Sequence, residues 1–175
     1  DKPRLGHSER GWGQMFPAWV KAPARVENHA MNGRSTKSFI NEGRWDAVLK
    51  SFHSGDRVII QFGRNDAKQH SPERYAAPHG EYQDNLVRLG SETREQGATP
   101  ILATSVARRR WDEAGCKMVP THGDYPSVMR KVADEMRVPL LEMERLTTEL
   151  EEASGVEGSK ALHLWFESGN QYRER

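Results

Sequence analysis

Two short blocks, Asn32-Gly33-Arg34-Ser35 and Gly63-Arg64-Asn65-Asp66, carry residue types that can stabilise a developing oxyanion. The second follows Val58-Ile59-Ile60-Gln61-Phe62, an apolar run that predicts a buried parallel strand. In an open α/β sheet the carboxyl ends of the strands form the rim of the ligand crevice. On that rim the backbone N–H of Gly33 and the side-chain amide of Asn65 are two donors able to converge on one oxygen. The tetrahedral intermediate of ester hydrolysis carries such a negative oxygen, so the pair reads as half of an ester-hydrolysing site. The other half would be a nucleophile with its base.

The elements that must position these donors alternate between helix and strand. Gly11 to Val20 has helical apolar spacing through Trp12, Met15, Phe16 and Trp19, interrupted by Pro17. Arg25-Val26-Glu27-Asn28 is a short strand candidate. Arg44 to Phe52 predicts a helix burying Trp45, Val48, Leu49 and Phe52. A turn at Ser54-Gly55-Asp56 leads into the strand Val58 to Phe62. A helix from about Gly80 to Glu95 turns Tyr82, Leu86 and Leu89 inward, and Gly97 ends it. Thr99 to Thr104 is the next strand, followed by a long connection to Gly123. Helix Tyr125 to Met136, strand Val138 to Leu141 and a helix from about Glu144 to Glu152 complete the pattern. This predicts one α/β domain over 1–175, a three-layer α/β/α arrangement with a parallel, flavodoxin-like sheet.

The blocks, in order, carry a family resemblance. Gly11-Trp12-Gly13-Gln14, Asn32 to Phe39, Glu42-Gly43-Arg44 and Phe62 to Asp66 resemble the rhamnogalacturonan acetylesterase branch of the SGNH (GDSL-type) hydrolases. Gly97 to Leu102, with Ser105 to Arg108, is similar to the fourth strand and its loop in that branch. The resemblance implies a serine carbohydrate esterase that removes acetyl groups from pectin-type polysaccharides or oligosaccharides, without a cofactor. It assigns Gly33 and Asn65 as oxyanion donors. Such enzymes carry the nucleophile in Gly-Asp-Ser after the first strand, and the acid and base in a C-terminal Asp-x-x-His. Neither motif occurs in the 175 residues: Gly55-Asp56 precedes Arg57, and Gly123-Asp124 precedes Tyr125. Arg64 stands where a histidine is common in the branch. The expectation is an SGNH domain incomplete at both ends, its first strand and serine before Asp1 and its Asp-x-x-His after Arg175. The polar tail Gly169 to Arg175 fits that reading. The alternative is a non-catalytic carbohydrate-binding relative that has lost its triad.

Other candidates weigh less. Gly6-His7-Ser8 lacks the buried strand that a nucleophile elbow needs. Ser35 has no base beside it and reads as the N-cap of a short helix toward Phe39. Asp66 reads as a residue that caps or orients its loop, and His163, near Trp165 and Phe166, as a packing or rim residue. Arg34 and Arg44 are expected to be exposed or structural, and Arg108-Arg109-Arg110 a solvated loop. The seven histidines show no compact ligand spacing, so no metal is expected. No Gly-x-Gly-x-x-Gly or P-loop run supports a nucleotide-binding module.

Composition suggests a soluble globular protein with a highly charged surface. Apolar residues make up 35%, charged residues 29%, and the net charge of +1 provides no general attraction to nucleic acid or membrane. No apolar stretch is long enough to span a bilayer. Cys116 is alone, which is compatible with either a cytoplasmic or a secreted protein and excludes an internal disulfide.

Overall fold

Strand β1 (Arg57–Gln61) pairs in parallel with β2 (Thr99–Ala103), and β2 pairs in parallel with the short β3 (Leu140–Leu141). The sheet order is β1-β2-β3. A computed structural model of the chain describes residues 11–163. Two compact units are present, one formed by 33–110 with 120–148 and the other by the remaining segments.

The first of these units holds the sheet. Its helices are α2 (Thr36–Asn41), α3 (Arg44–Leu49), α4 (Gln83–Glu95) and α5 (Tyr125–Met136). One core unites Phe39 of α2, Trp45 and Val48 of α3, Ile60, Leu86 and Leu89 of α4, Leu102, and Val128, Met129 and Val132 of α5. This is the doubly covered parallel sheet expected from strand–helix alternation: buried strands read as apolar runs, and the helices bury one stripe each. Pro100 has no N–H to contribute, and it lies where β2 is paired on one side only, because β3 begins opposite Leu102. Leu86 is completely buried. Replacing it by alanine is expected to cost about 2–5 kcal/mol, through lost burial plus the cavity left behind. Urea unfolding of the variant against the parent checks this.

The second unit contains the one-turn helix α1 (Trp12–Met15) and a 3-10 turn Phe16–Trp19, with Pro17 at the start of the latter, where its missing N–H costs nothing. In the same unit Trp111 and Met118 form an isolated antiparallel bridge. Glu152 holds that bridge by accepting from Met118 N at 2.9 Å and pairing with Lys117 at 3.0 Å. No helix among the described residues is long and apolar enough to cross a membrane.

Several expectations change. The strand Val138 to Leu141 shortens to Leu140–Leu141, and the helix expected from about Gly80 is regular only from Gln83, after a π turn Pro78–Tyr82 in which Gly80 is not helical. Arg25 to Asn28 is not a strand: it has one apolar residue, half of it is exposed, and it has no ladder partner among the described residues. The helix over Arg44 to Phe52 stops at Leu49, with Ser51 and Phe52 in the following turn. The final helix runs Met143–Gly158, longer than the apolar spacing indicated, and is broken at Gly155, whose φ is +68°. The helix Tyr125–Met136 matches its sequence pattern at both ends, stopped by Arg137 in the left-handed region.

Candidate active site

The chain leaves β1 through Phe62 and turns sharply at Gly63, whose φ of +121° favours glycine. A side chain there would also meet Tyr82 Oη at 3.2 Å and Ser105 Oγ at 3.3 Å. The turn closes on Asp66, whose Oδ2 accepts from Gly63 N at 3.0 Å. Its other oxygen, Oδ1, accepts from Thr36 N at 2.9 Å and from the Thr36 hydroxyl at 2.5 Å. One buried carboxylate thus joins the two sequence blocks, separated by thirty residues between Thr36 and Asp66. Asn85 of α4 donates to the Thr36 hydroxyl at 3.0 Å, extending the chain of bonds to a third element.

The loop beyond Gly63 is fixed from outside by tyrosines. Tyr125 Oη donates to the backbone oxygens of Asp66 at 3.0 Å and Ala76 at 2.8 Å. Tyr82 Oη and Ser105 Oγ both donate to Phe62 O, at 3.3 and 3.1 Å. The two tyrosine rings meet edge to face with centroids 4.9 Å apart. Burial raises both phenols, Tyr125 to about 12, so both remain donors at any physiological pH. Burial also raises the Asp66 carboxyl, and the bonds from Thr36 and Gly63 oppose that shift.

In this frame Asn65 Nδ2 donates to Arg34 O at 3.1 Å, so its side chain reaches the residue next to Gly33. An amide nitrogen carries two hydrogens, and the second is left for another acceptor. Gly33 is half-buried with φ +80°, and its N–H has no bonding partner among the described residues. Of the candidate pair, Asn65 therefore contacts Arg34, next to Gly33, directly, and among the described residues nothing but the chain neighbours lies within 4 Å of where a Gly33 Cβ would stand.

The remaining candidates fall into place around this frame. Ser35 is fully buried and is the N-cap of α2: its Oγ accepts from Ser38 N at 3.1 Å while Ser38 Oγ accepts from Ser35 N at 2.9 Å. Arg34 and Arg44 both grip Glu42, at 3.0 and 2.5 Å, and the two guanidiniums lower its pKa. Arg108-Arg109-Arg110 is not a solvated run, since only Arg110 is exposed. A charged triplet reads as solvated in sequence, but its attachment to the end of β2 draws the first residues inward. His163 pairs with the buried Glu151. Ser8, Trp165 and Phe166 lie outside the described residues. Sequence reasoning did not single out Thr36, Asn85, Tyr82 or Tyr125 as site supports. Thr36 stands inside the Asn32 to Phe39 block, but the other three lie outside the blocks, and apolar spacing shows only that Tyr82 faces inward.

With this geometry in view, the relatives can be placed. The model of the GDSL-like Lipase/Acylhydrolase family matches residues 2–164. The chain belongs to that family. Among curated members, the rhamnogalacturonan acetylesterase RhgT of Bacillus subtilis is 41% identical over 157 residues, covering 90% of this chain and 66% of RhgT. The probable rhamnogalacturonan acetylesterase YesY of the same organism is 35% identical, covering 78% of this chain and 62% of YesY. The chain therefore spans a little under two thirds of the length of these relatives. The crystal structure of YxiM from Bacillus subtilis superposes with a TM-score of 0.78 at 25% identity, over 88% of this chain and 43% of that one. The parallel sheet with its helices is thus the fold of the GDSL-like hydrolases.

Proposed function

We propose that this chain is the oxyanion-hole-bearing part of a serine acetylesterase acting on acetylated rhamnogalacturonan or a related pectin-type carbohydrate. The observation that carries the proposal is the Asp66 bridge, which ties the Gly33 and Asn65 blocks together at the exit of β1. The 41% identity to an acetylesterase supports the reaction class. In this reading a serine attacks the acetyl carbonyl carbon and its proton passes to a histidine. The carbonyl oxygen, now negative, accepts from Gly33 N–H and from the free hydrogen of Asn65 Nδ2. Collapse of the intermediate expels the sugar hydroxyl, which takes up the proton, and water then releases acetate from the serine. The serine and the Asp-x-x-His pair lie in sequence flanking these 175 residues, since neither motif occurs within them.

That absence also favours a second reading, a carbohydrate-binding relative without a triad. One experiment separates the two. The 175-residue chain and a form extended by the adjoining coding sequence on both sides are assayed for acetate release from acetylated rhamnogalacturonan and for hydrolysis of a chromogenic acetate ester. The expected result is hydrolysis by the extended form and none by the 175 residues alone. An extended form that binds the polysaccharide but hydrolyses neither ester supports the non-catalytic relative.

A further inference from the structure

Asn85 lies in the first turn of α4 and is half-buried. An α-helix is no more stable with asparagine than with alanine, so what this residue offers is its side-chain amide. Among the described residues that side chain bonds to Thr36 alone: Nδ2 donates to the Thr36 hydroxyl at 3.0 Å, across forty-nine residues of chain. Thr36 is completely buried at the start of α2.

The direction of the bond follows from counting hydrogens. The Thr36 hydroxyl has one hydrogen and two close side-chain partners, Asn85 Nδ2 and Asp66 Oδ1. A carboxylate only accepts, and an amide NH₂ only donates. The series therefore runs one way, from Asn85 to Thr36 and from Thr36 to Asp66. Such a series strengthens its members, because a hydroxyl that accepts at its oxygen donates better. The second oxygen of Asp66 accepts from Gly63 N at 3.0 Å, which carries the series to the turn after β1.

Both proposed oxyanion donors flank the Thr36–Asp66 contact. Gly33 precedes Thr36 by three residues and Asn65 precedes Asp66 by one. Asn65 Nδ2 crosses between the two segments to Arg34 O at 3.1 Å. The contact is thus the tie that sets how far apart the donors stand. Helix α4 gives it a fixed footing, since Leu86 and Leu89 are completely buried in the core.

We propose that Asn85 is a positioning residue for deacetylation. By donating to Thr36 it directs the only hydrogen of that hydroxyl onto Asp66, and so sets the spacing of the Gly33 and Asn65 donors. The inference rests on the acetylesterase reading for the reaction, whereas the spacing is measurable without any reaction.

The first readout is the amide NMR spectrum of the 175-residue chain, which needs no nucleophile. Asn85→Ala and Thr36→Val should each displace the signals of the Asn65 side-chain amide and of Gly33 N–H. In the Thr36→Val chain, adding Asn85→Ala should displace them no further, because Asn85 acts only through the hydroxyl. Asn85→Asp keeps the shape of asparagine but sets a second acceptor against the same hydroxyl. It should displace the signals as Asn85→Ala does, whereas a residue that only fills space would tolerate the change. The two Asn85 variants suffice if Thr36→Val folds poorly.

The second readout is hydrolysis of the chromogenic acetate ester by the extended form, below the melting temperature of each variant. Asn85→Ala and Asn85→Asp are expected to lower kcat about tenfold at unchanged KM, short of the roughly 10²-fold that a 1 Å misplacement can cost. Thr36→Ser, which retains a hydroxyl, should preserve the response to Asn85→Ala, and Thr36→Val should abolish it. Unmoved signals, additive displacements, an Asn85→Asp chain that behaves as the parent, or an unchanged kcat in an active extended form overturns the proposal. An extended form that hydrolyses nothing counts against the acetylesterase reading, and the spectra then decide the role of Asn85 by themselves.

Discussion

Asp66→Ala is expected to lose roughly 2–6 kcal/mol of stability, from two buried backbone donors at about 1–3 kcal/mol each. The donors are Thr36 N and Gly63 N, which the carboxylate holds at 2.9 and 3.0 Å. A domain of this kind has about 5–15 kcal/mol in total, so this one side chain decides whether the two halves of the proposed site stay together. Asp66→Asn should cost less, because its amide oxygen still accepts from Thr36 while its NH₂ faces the Gly63 N–H. The pH dependence has a definite sign. Burial raises the folded-state pKa of Asp66 above its ordinary value of 3.8, so between those two values the folded state holds more proton than the unfolded one. Stability from this group therefore falls as pH rises through that window. Urea unfolding of the parent and Asp66→Asn from pH 3.5 upward should show the gap between them narrowing as pH rises. A gap that widens would mean that the Thr36 and Gly63 bonds outweigh burial. Glu42 and Glu142, lowered by their arginine partners, act in the opposite direction, but they are common to both proteins and cancel in the difference.

Asn65→Ala is expected to lower kcat of the extended, active form by about 10²–10³-fold, the effect of removing one oxyanion donor. KM should change little, because the oxyanion exists only after attack. The fold should hardly notice: Asn65 is half-buried and makes one side-chain bond, to Arg34 O, worth about 1 kcal/mol. Acetate release measured at saturating and at low substrate separates kcat from KM, and a melting curve checks the fold. A variant with unchanged kcat removes Asn65 from the mechanism. A variant that loses activity only by unfolding assigns it a structural role instead.

The alternation of apolar strands and amphipathic helices was legible in the sequence wherever a segment buries a single continuous face. Val58 to Phe62, Thr99 to Thr104 and Tyr125 to Met136 are of that kind, because their apolar periods are local properties. The same holds for Ser35, whose capping partner Ser38 is three residues away. Where a segment depends on a partner, the sequence alone misled: Arg25 to Asn28 reads as a strand but has no ladder among the described residues, and Arg108 carries the charge of a surface loop yet is half-buried.

The two donor blocks could be named from residue type and family resemblance, but not what joins them. That required the Asp66 carboxylate to reach Thr36 across thirty residues, and Tyr125 to brace the loop from a helix fifty-nine residues further on. Arg64 and Lys68 on one loop and Arg108 on another likewise come near enough for their charges to repel. Hydrogen bonds and charge repulsion act over a few ångströms in space without regard to distance along the chain, so only the folded sheet, which brings the ends of β1 and β2 side by side, could decide them.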